Sequence, residues 1–315
     1  MSEDFEDAPG MRHLGLSPWL QTAWDLRAAG NFIGGGSGTG LLILTSLGAF
    51  GGLYSPVLLL AGLALVGLGL FSVFLEIGRP LRALNVLLGG KRSWMTREAF
   101  VAGVLFPLGA AALIWPDLAK LVWIPAVAYL YCQARILEAA KGIPTWRSPL
   151  ILPLTIASGL AEGAGVLLVL GTLVLDGGAP DWVAGTLVAT IAARLFVWMF
   201  YRRRMVGGEA PVEAAAVLIR FSMPFTLGGN IIPIAFLMIA GIQPDIRAAA
   251  LAAAGLAAMA GGWAMKIVIV TKAAQNQGFA INHSPARGGG TSGPGFKPGW
   301  REVPKGDSPR DDSKK

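Results

Sequence analysis

Ionisable side chains are rare inside the long apolar stretches of this 315-residue chain, and two of them, Glu162 and Arg194, sit deep. A charge in hydrocarbon is costly and persists where it pairs, moves a proton or meets a ligand. Counting 1.5 Å per residue inward from Leu150 and from Arg202 puts Glu162 roughly 18 Å and Arg194 roughly 12 Å inside, about one helical turn apart. Between neighbouring antiparallel helices the two are expected to pair. Two chemistries fit such a pair: a structural ion bridge, or a proton-path carboxylate with an arginine partner. Lys266 and Arg220 lie near enough to helix ends to snorkel and receive no role. The densest polar feature is the run from Phe74 to Glu98. In it Glu76 and Arg79 share one helical side, and the acid stands at a membrane boundary, where a carboxylate can accept a proton.

These residues need helices to position them. The chain is 54% hydrophobic and 14% charged, against about 25% charged in soluble proteins, which marks an integral membrane protein. Forty-three glycines suit helices whose backbones approach closely in lipid. A spanning helix takes roughly 20 apolar residues, and eight segments qualify: 30–51, 54–76, 98–116, 118–138, 150–174, 182–201, 218–241 and 248–271. The expected fold is an all-α membrane domain over 29–277, in two four-helix bundles at 29–140 and 150–272. Residues 1–28 form an amino-terminal segment without the apolar core and cleavage site of a signal peptide. The Gly, Pro and charge-rich tail 278–315 is expected to be disordered. Pro80 followed by Leu81, Leu84, Leu87 and Leu88 predicts a short interfacial helix. Ser37-Gly-Thr-Gly in the first helix and Glu162-Gly-Ala-Gly in the fifth echo one another, and Gly36 with Gly40 makes a small-xxx-small contact face.

Residue counts narrow the chemistry further. A single cysteine, Cys132, excludes a disulfide framework, a Cys-ligated cluster and a Cys-built zinc site. The two histidines, His13 and His283, lie in polar terminal segments, so no imidazole pair can hold a haem in the bilayer. Lys and Arg gather in alternate connections: Arg12 and Arg27; Arg79, Arg82, Lys91, Arg92 and Arg97; Arg135, Lys141 and Arg147; Arg202, Arg203 and Arg204; then Lys272. The opposite loops hold Lys120 and Arg247 beside Asp117, Asp176, Asp181 and Asp245. That asymmetry places both termini in the cytoplasm, in a bacterial-type inner membrane. The net charge of +7 follows from it rather than from nucleic-acid binding.

Glu76-Ile-Gly-Arg-Pro-Leu-Arg-Ala, followed by Ser93-Trp-Met-Thr-Arg-Glu98, resembles a loop of the membrane-anchor subunits of dimethyl sulfoxide reductase and polysulfide reductase. Ile143-Pro-Thr-Trp-Arg-Ser-Pro149 is similar to that family's second loop, and the glycine run after Asn31 to its first helix; the likeness covers most of 24–205. It implies an electron-transfer subunit working between membrane quinone and a ferredoxin-like iron-sulfur subunit that serves a molybdopterin or tungstopterin catalytic subunit. Such an anchor is not itself catalytic toward the final substrate. Lacking haem and cluster ligands, it would bring menaquinone or ubiquinone close to the partner's face.

Under that resemblance Asn31, Glu76, Arg79, Tyr131 and Arg135 are the candidate quinone contacts, with Tyr129 and Gln133 in the same region of the fourth helix. Glu76 stands where the dimethyl sulfoxide reductase anchor typically has a histidine, a departure from the pattern. Arg82, Lys91, Arg92, Trp94, Arg97, Trp146 and Arg147 are the candidate partner-docking residues. Docking on a cytoplasmic face would suit a substrate that stays in the cell, such as the thioester of the phenylacetyl-CoA:acceptor oxidoreductase branch. Two other classes stay open: a secondary transporter using the Glu162 and Arg194 pair, and an inert structural anchor.

Overall fold

The computed structural model describes residues 17–76, 93–284 and 293–300. The expected interfacial helix from Pro80 and the candidates Arg79, Arg82, Lys91 and Arg92 lie outside the described residues, as does the tail from 301 onward. Among the described residues seven helices are long and apolar enough to cross a membrane. The protein is a transmembrane helical protein.

The helices are α1 (Leu26–Gly48), α2 (Pro56–Glu76), α3 (Trp94–Ile114), α4 (Trp123–Ala139), α5 (Ile151–Val174), α6 (Asp181–Arg204), α7 (Val212–Ile242) and α8 (Arg247–Ile267). The shortest is α4, with 17 residues. It is extended at its start by the tight turn Pro116–Leu121, whose proline suits a first turn. Polar side chains set several ends. The Asp25 carboxylate accepts from the Arg27 amide at 2.7 Å and starts α1. The Ser93 hydroxyl accepts from the Thr96 amide and starts α3 at Trp94, one turn earlier than its apolar pattern suggests.

Glycine decides where α1 sits. Gly34 and Gly38 face Gly69, Gly62 and Val66 of α2, and Gly35 faces the Gln133 side chain of α4. Gly40 meets Gly159 and Gly163 of α5, so a Cβ at Gly163 would run into the Gly40 backbone. Contact on several sides at backbone distance buries almost the whole of α1 and makes it, with α5, the centre of the helix assembly. The contact role of Gly36 and Gly40 read from their spacing is what the packing uses.

Helix α7 carries a π turn at Leu227–Ile231, bracketed by Pro224 and Pro233. Pro233 has no amide hydrogen, which deprives the Gly229 carbonyl of its α-helical donor. Another π turn, Val268–Lys272, ends α8.

The two ends of the described chain meet on one face. Gln21 N donates to Ala274 O at 3.0 Å and Asn276 N to Trp19 O at 3.0 Å, a short antiparallel pairing around Leu20 and Gln275. The tail departs from its expected disorder over 278–284 and 293–300. Strands Ile281–Ser284 and Gly293–Phe296 pair antiparallel, and Val212 N donates to Gly299 O at 3.0 Å. Aromatic residues supply what the Gly-rich composition hides: Phe279 packs on Phe296, and the Trp300 indole donates to Gln277 O at 3.0 Å.

Candidate functional site

A cavity of about 410 Å³ opens where α1 to α4 present their ends to the face that carries the paired segments 19–21 and 274–276. Its walls are Trp24, Ala28, Asn31 and Phe32 at the start of α1, Leu70, Val73, Phe74 and Glu76 at the end of α2, Met95, Glu98 and Ala99 on the first turns of α3, and Ile136 near the end of α4. Three polar side chains in an apolar wall is the usual composition of a small-molecule site, and the volume lies in the usual range. Asn31 and Glu76, both singled out from the sequence, line it together.

Glu98 is the residue that sequence reasoning left without a role. It is 5% exposed, as is Asn31, and behind the pair stand the fully buried Tyr129 and Gln133 of α4. The Glu98 carboxyl lies within hydrogen-bonding reach of the Tyr129, Gln133 and Asn31 side chains. Gln133 Nε2 donates to Asn31 O at 2.9 Å. Asn31 Oδ1, Glu98 Oε1, Tyr129 OH and Gln133 Oε1 close no strict hydrogen bond among the described residues, but they face one another, so the cluster is a loosely bonded polar group, two of whose residues stand in the cavity wall. Polar groups gathered in an apolar wall are what orients a small molecule. The signal for Glu98 was an acid one turn inside α3, masked by the expectation that the helix begins at 98.

Helical periodicity sorts the α4 candidates. Residues 129, 133 and 136 share one side, whereas 131 and 135 lie about 200° further round. Tyr131 and Arg135 accordingly do not line the cavity. Both meet Trp94: Tyr131 edge-on with ring centres 5.7 Å apart, Arg135 with its guanidinium 4.9 Å from the ring centre. Arg97 lies 4.1 Å from the same indole, and Arg135 also pairs with Glu138 at 2.6 Å. This cation-aromatic group borders the site through Met95. At the other rim the Arg27 side chain binds Asp25 at 2.8 Å and Leu75 O at 2.9 Å. That bond holds the Asp25 carboxyl below the usual carboxylate range.

Two docking candidates change character. Trp146 is 2% exposed, stacks on Trp24 at 4.8 Å and donates its indole hydrogen to Ile269 O at 2.8 Å. It is a core residue, not a docking surface, because the one-turn helix Pro144–Arg147 folds inward under the pairing of the chain ends. Arg147 is held by Gln277 Oε1 at 2.5 Å and Lys141 O at 3.0 Å.

Glu162 and Arg194 do not pair as expected. The Glu162 carboxylate accepts from Lys266 Nζ at 2.7 Å, Ser37 Oγ at 2.7 Å and Ser158 Oγ at 2.8 Å. The Trp263 indole closes the group on Ser37 Oγ at 2.9 Å. Lys266 is 4% exposed. Its stem runs inward past Gly36, where a Cβ would strike the ammonium, instead of snorkelling outward. Arg194 donates to Asn230 Oδ1 at 3.1 Å, to Ala258 O at 3.1 Å and to the Gly229 carbonyl that Pro233 leaves free.

No protein-family model matches the chain, and no curated protein matches it significantly. Its chemistry has to be read from the site itself.

Proposed function

We propose that the chain is the quinone-reactive membrane subunit of an oxidoreductase complex, binding quinone or quinol in the α1 to α4 cavity and exchanging electrons with an iron-sulfur partner that serves a molybdopterin or tungstopterin catalytic subunit. The observation that carries this reading is the buried carboxyl of Glu98 with Asn31 in the wall of an apolar cavity. The residues fit the group: an apolar slot for a ring and isoprenoid chain, and polar atoms at its inner end for ring oxygens. A bound quinone supplies two-electron, two-proton carrier chemistry. Asn31 orients a ring oxygen through its amide, and Glu98 and Glu76 hold or release a proton at their carboxyl oxygens. Phe32, Phe74 and Ile136 keep water from the ring.

The accompanying topology is eight crossings in two four-helix groups, α1 to α4 and α5 to α8, with the site on the cytoplasmic side. Pairing of residues 19–21 with 274–276 supports an even number of crossings, with α4 as the eighth. Ser46 Oγ, near the end of α1, accepts from Trp123 N at 2.9 Å, whereas Gln133 reaches Asn31 near its start. With the preceding turn, α4 thus spans nearly the depth of α1. The Lys and Arg asymmetry orients the bundle.

The decisive test purifies the chain with whatever co-purifies and measures bound quinone by mass spectrometry and quinol-analogue oxidation by absorbance. Iron-sulfur and pterin partners are expected together with bound quinone, and Glu98→Gln and Asn31→Leu should remove the quinone while leaving the complex assembled. A chain that purifies alone, with no quinone, would remove the proposal.

A further inference from the structure

A second cavity, of about 540 Å³, lies on the same face but away from the first, between the one-turn helix Pro144–Arg147, the α6 to α7 link and the folded tail. Unlike the first it is polar, and its wall includes Arg147, Ser148, Glu209, Gln277, Lys297 and Trp300. The charge balance is positive: the one acid among the described wall residues, Glu209, is already bound to Arg204 at 2.7 Å, and Lys297 stands 5.9 Å from the Trp300 ring centre, so among the described residues no ion pair joins Arg147 or Lys297 to an acid. Arg147 spends one terminal nitrogen on Lys141 O and Gln277 Oε1, and its planar fork carries further donors. Ser148 is 3% exposed, and its hydroxyl has no hydrogen-bond partner among the described residues. A guanidinium fork, an ammonium and a buried hydroxyl converging on one polar cavity make a site for a tetrahedral oxyanion.

We propose that this cavity binds a phosphate-bearing ligand, with Arg147 and Lys297 neutralising its charge and Ser148 donating to one oxygen. The cavity lies beside Gly208 and Glu209 at the end of the α6 span, and basic pockets at the ends of membrane spans meet anionic phospholipid headgroups; a soluble phosphate would use the same atoms. Lys297 and Trp300 belong to the tail, so the ligand would also fasten the tail to the face. The site involves neither Glu98 nor Asn31 and does not depend on the quinone reading.

Native mass spectrometry of the full-length chain in detergent tests the proposal, with phosphatidylglycerol, phosphatidylcholine or inorganic phosphate added and Lys120→Gln on the opposite face as control. Phosphatidylglycerol should be retained over phosphatidylcholine, and Arg147→Gln or Lys297→Gln should each lower that retention about tenfold, the loss of one charge-assisted contact. Competition by millimolar phosphate would assign the site to a soluble ligand, and its failure to compete to the lipid. Should Arg147→Gln loosen the tail, Lys297→Gln and Ser148→Ala decide, since Lys297 is exposed and Ser148→Ala removes one hydroxyl. Equal retention of phosphatidylglycerol by wild type, both of these variants and the control, with no effect of phosphate, would overturn the proposal.

Discussion

Two buried polar groups in this molecule differ in how they spend their hydrogen bonds. At the centre, Glu162 takes three donors and Arg194 takes three acceptors. At the cavity, Asn31, Glu98, Tyr129 and Gln133 are as deeply buried, but they face one another without closing a full set of strict hydrogen bonds among the described residues. Burial is alike in the two groups, but the central one carries the Lys266 and Arg194 cations and the cavity one carries no cation. The other difference is completeness: the central network closes its bonds between helices, and the cavity group is bonded more loosely and opens on a cavity.

The comparison predicts opposite responses to substitution, beginning with the largest. Lys266→Met leaves the Glu162 carboxylate buried against Gly262 without its cation, which should cost about 3–5 kcal/mol. Thermal unfolding in detergent would register it as a collapse of the folded fraction. Adding Glu162→Gln should recover most of the loss. If the double variant is no better than the single, the network is not an ion pair in energetic terms. Glu98→Gln is the counterpart at the cavity. It should leave unfolding unchanged while quinol oxidation falls about 100-fold, the size of one proton acceptor; unaltered kinetics would make Glu98 another structural acid.

Smaller effects test the frame around the two groups. Gly163→Val forces a branched side chain into the Gly40 backbone and should destabilise by about 1–3 kcal/mol, visible as a lower midpoint of thermal unfolding in detergent. Trp146→Phe keeps the ring stack on Trp24 but strips the Ile269 carbonyl of its donor, which should cost about 1 kcal/mol. A change larger than 3 kcal/mol in that variant would mean that the indole does more than hold the cavity's outer wall.

Sequence reasoning reached the saturated group only halfway. The depth of Glu162 and Arg194 was legible because an acid and a base in apolar runs stand out, and the apolar lengths gave the helices within a few residues at most ends. The partners were not legible. A lysine's four-carbon stem reaches inward as readily as outward, so proximity to a helix end says nothing about where Lys266 points. Arg194 is met mostly by backbone carbonyls, one of them freed by Pro233 four residues beyond Gly229, and no count of side chains finds those. At the cavity, Asn31 and Glu76 were legible through the resemblance of their surroundings. Glu98 was not, because a serine cap moved the start of α3 by one turn. Tyr131 and Arg135 were misplaced for a similar reason: a region of a helix was matched without its rotation.

The pairing of residues 19–21 with 274–276 has a consequence for biogenesis. Gln21 bonds both Trp24 O, at 2.7 Å, and Val270 O, at 3.1 Å, so the segment that carries the cavity's Trp24 wall is fastened to the end of α8. A nascent chain can insert α1 to α4 early and stack Trp146 on Trp24 soon after, but the Gln21 bond to Val270 closes only when α8 arrives. A chain cut short before Val270 would leave the Trp24 segment without that tie.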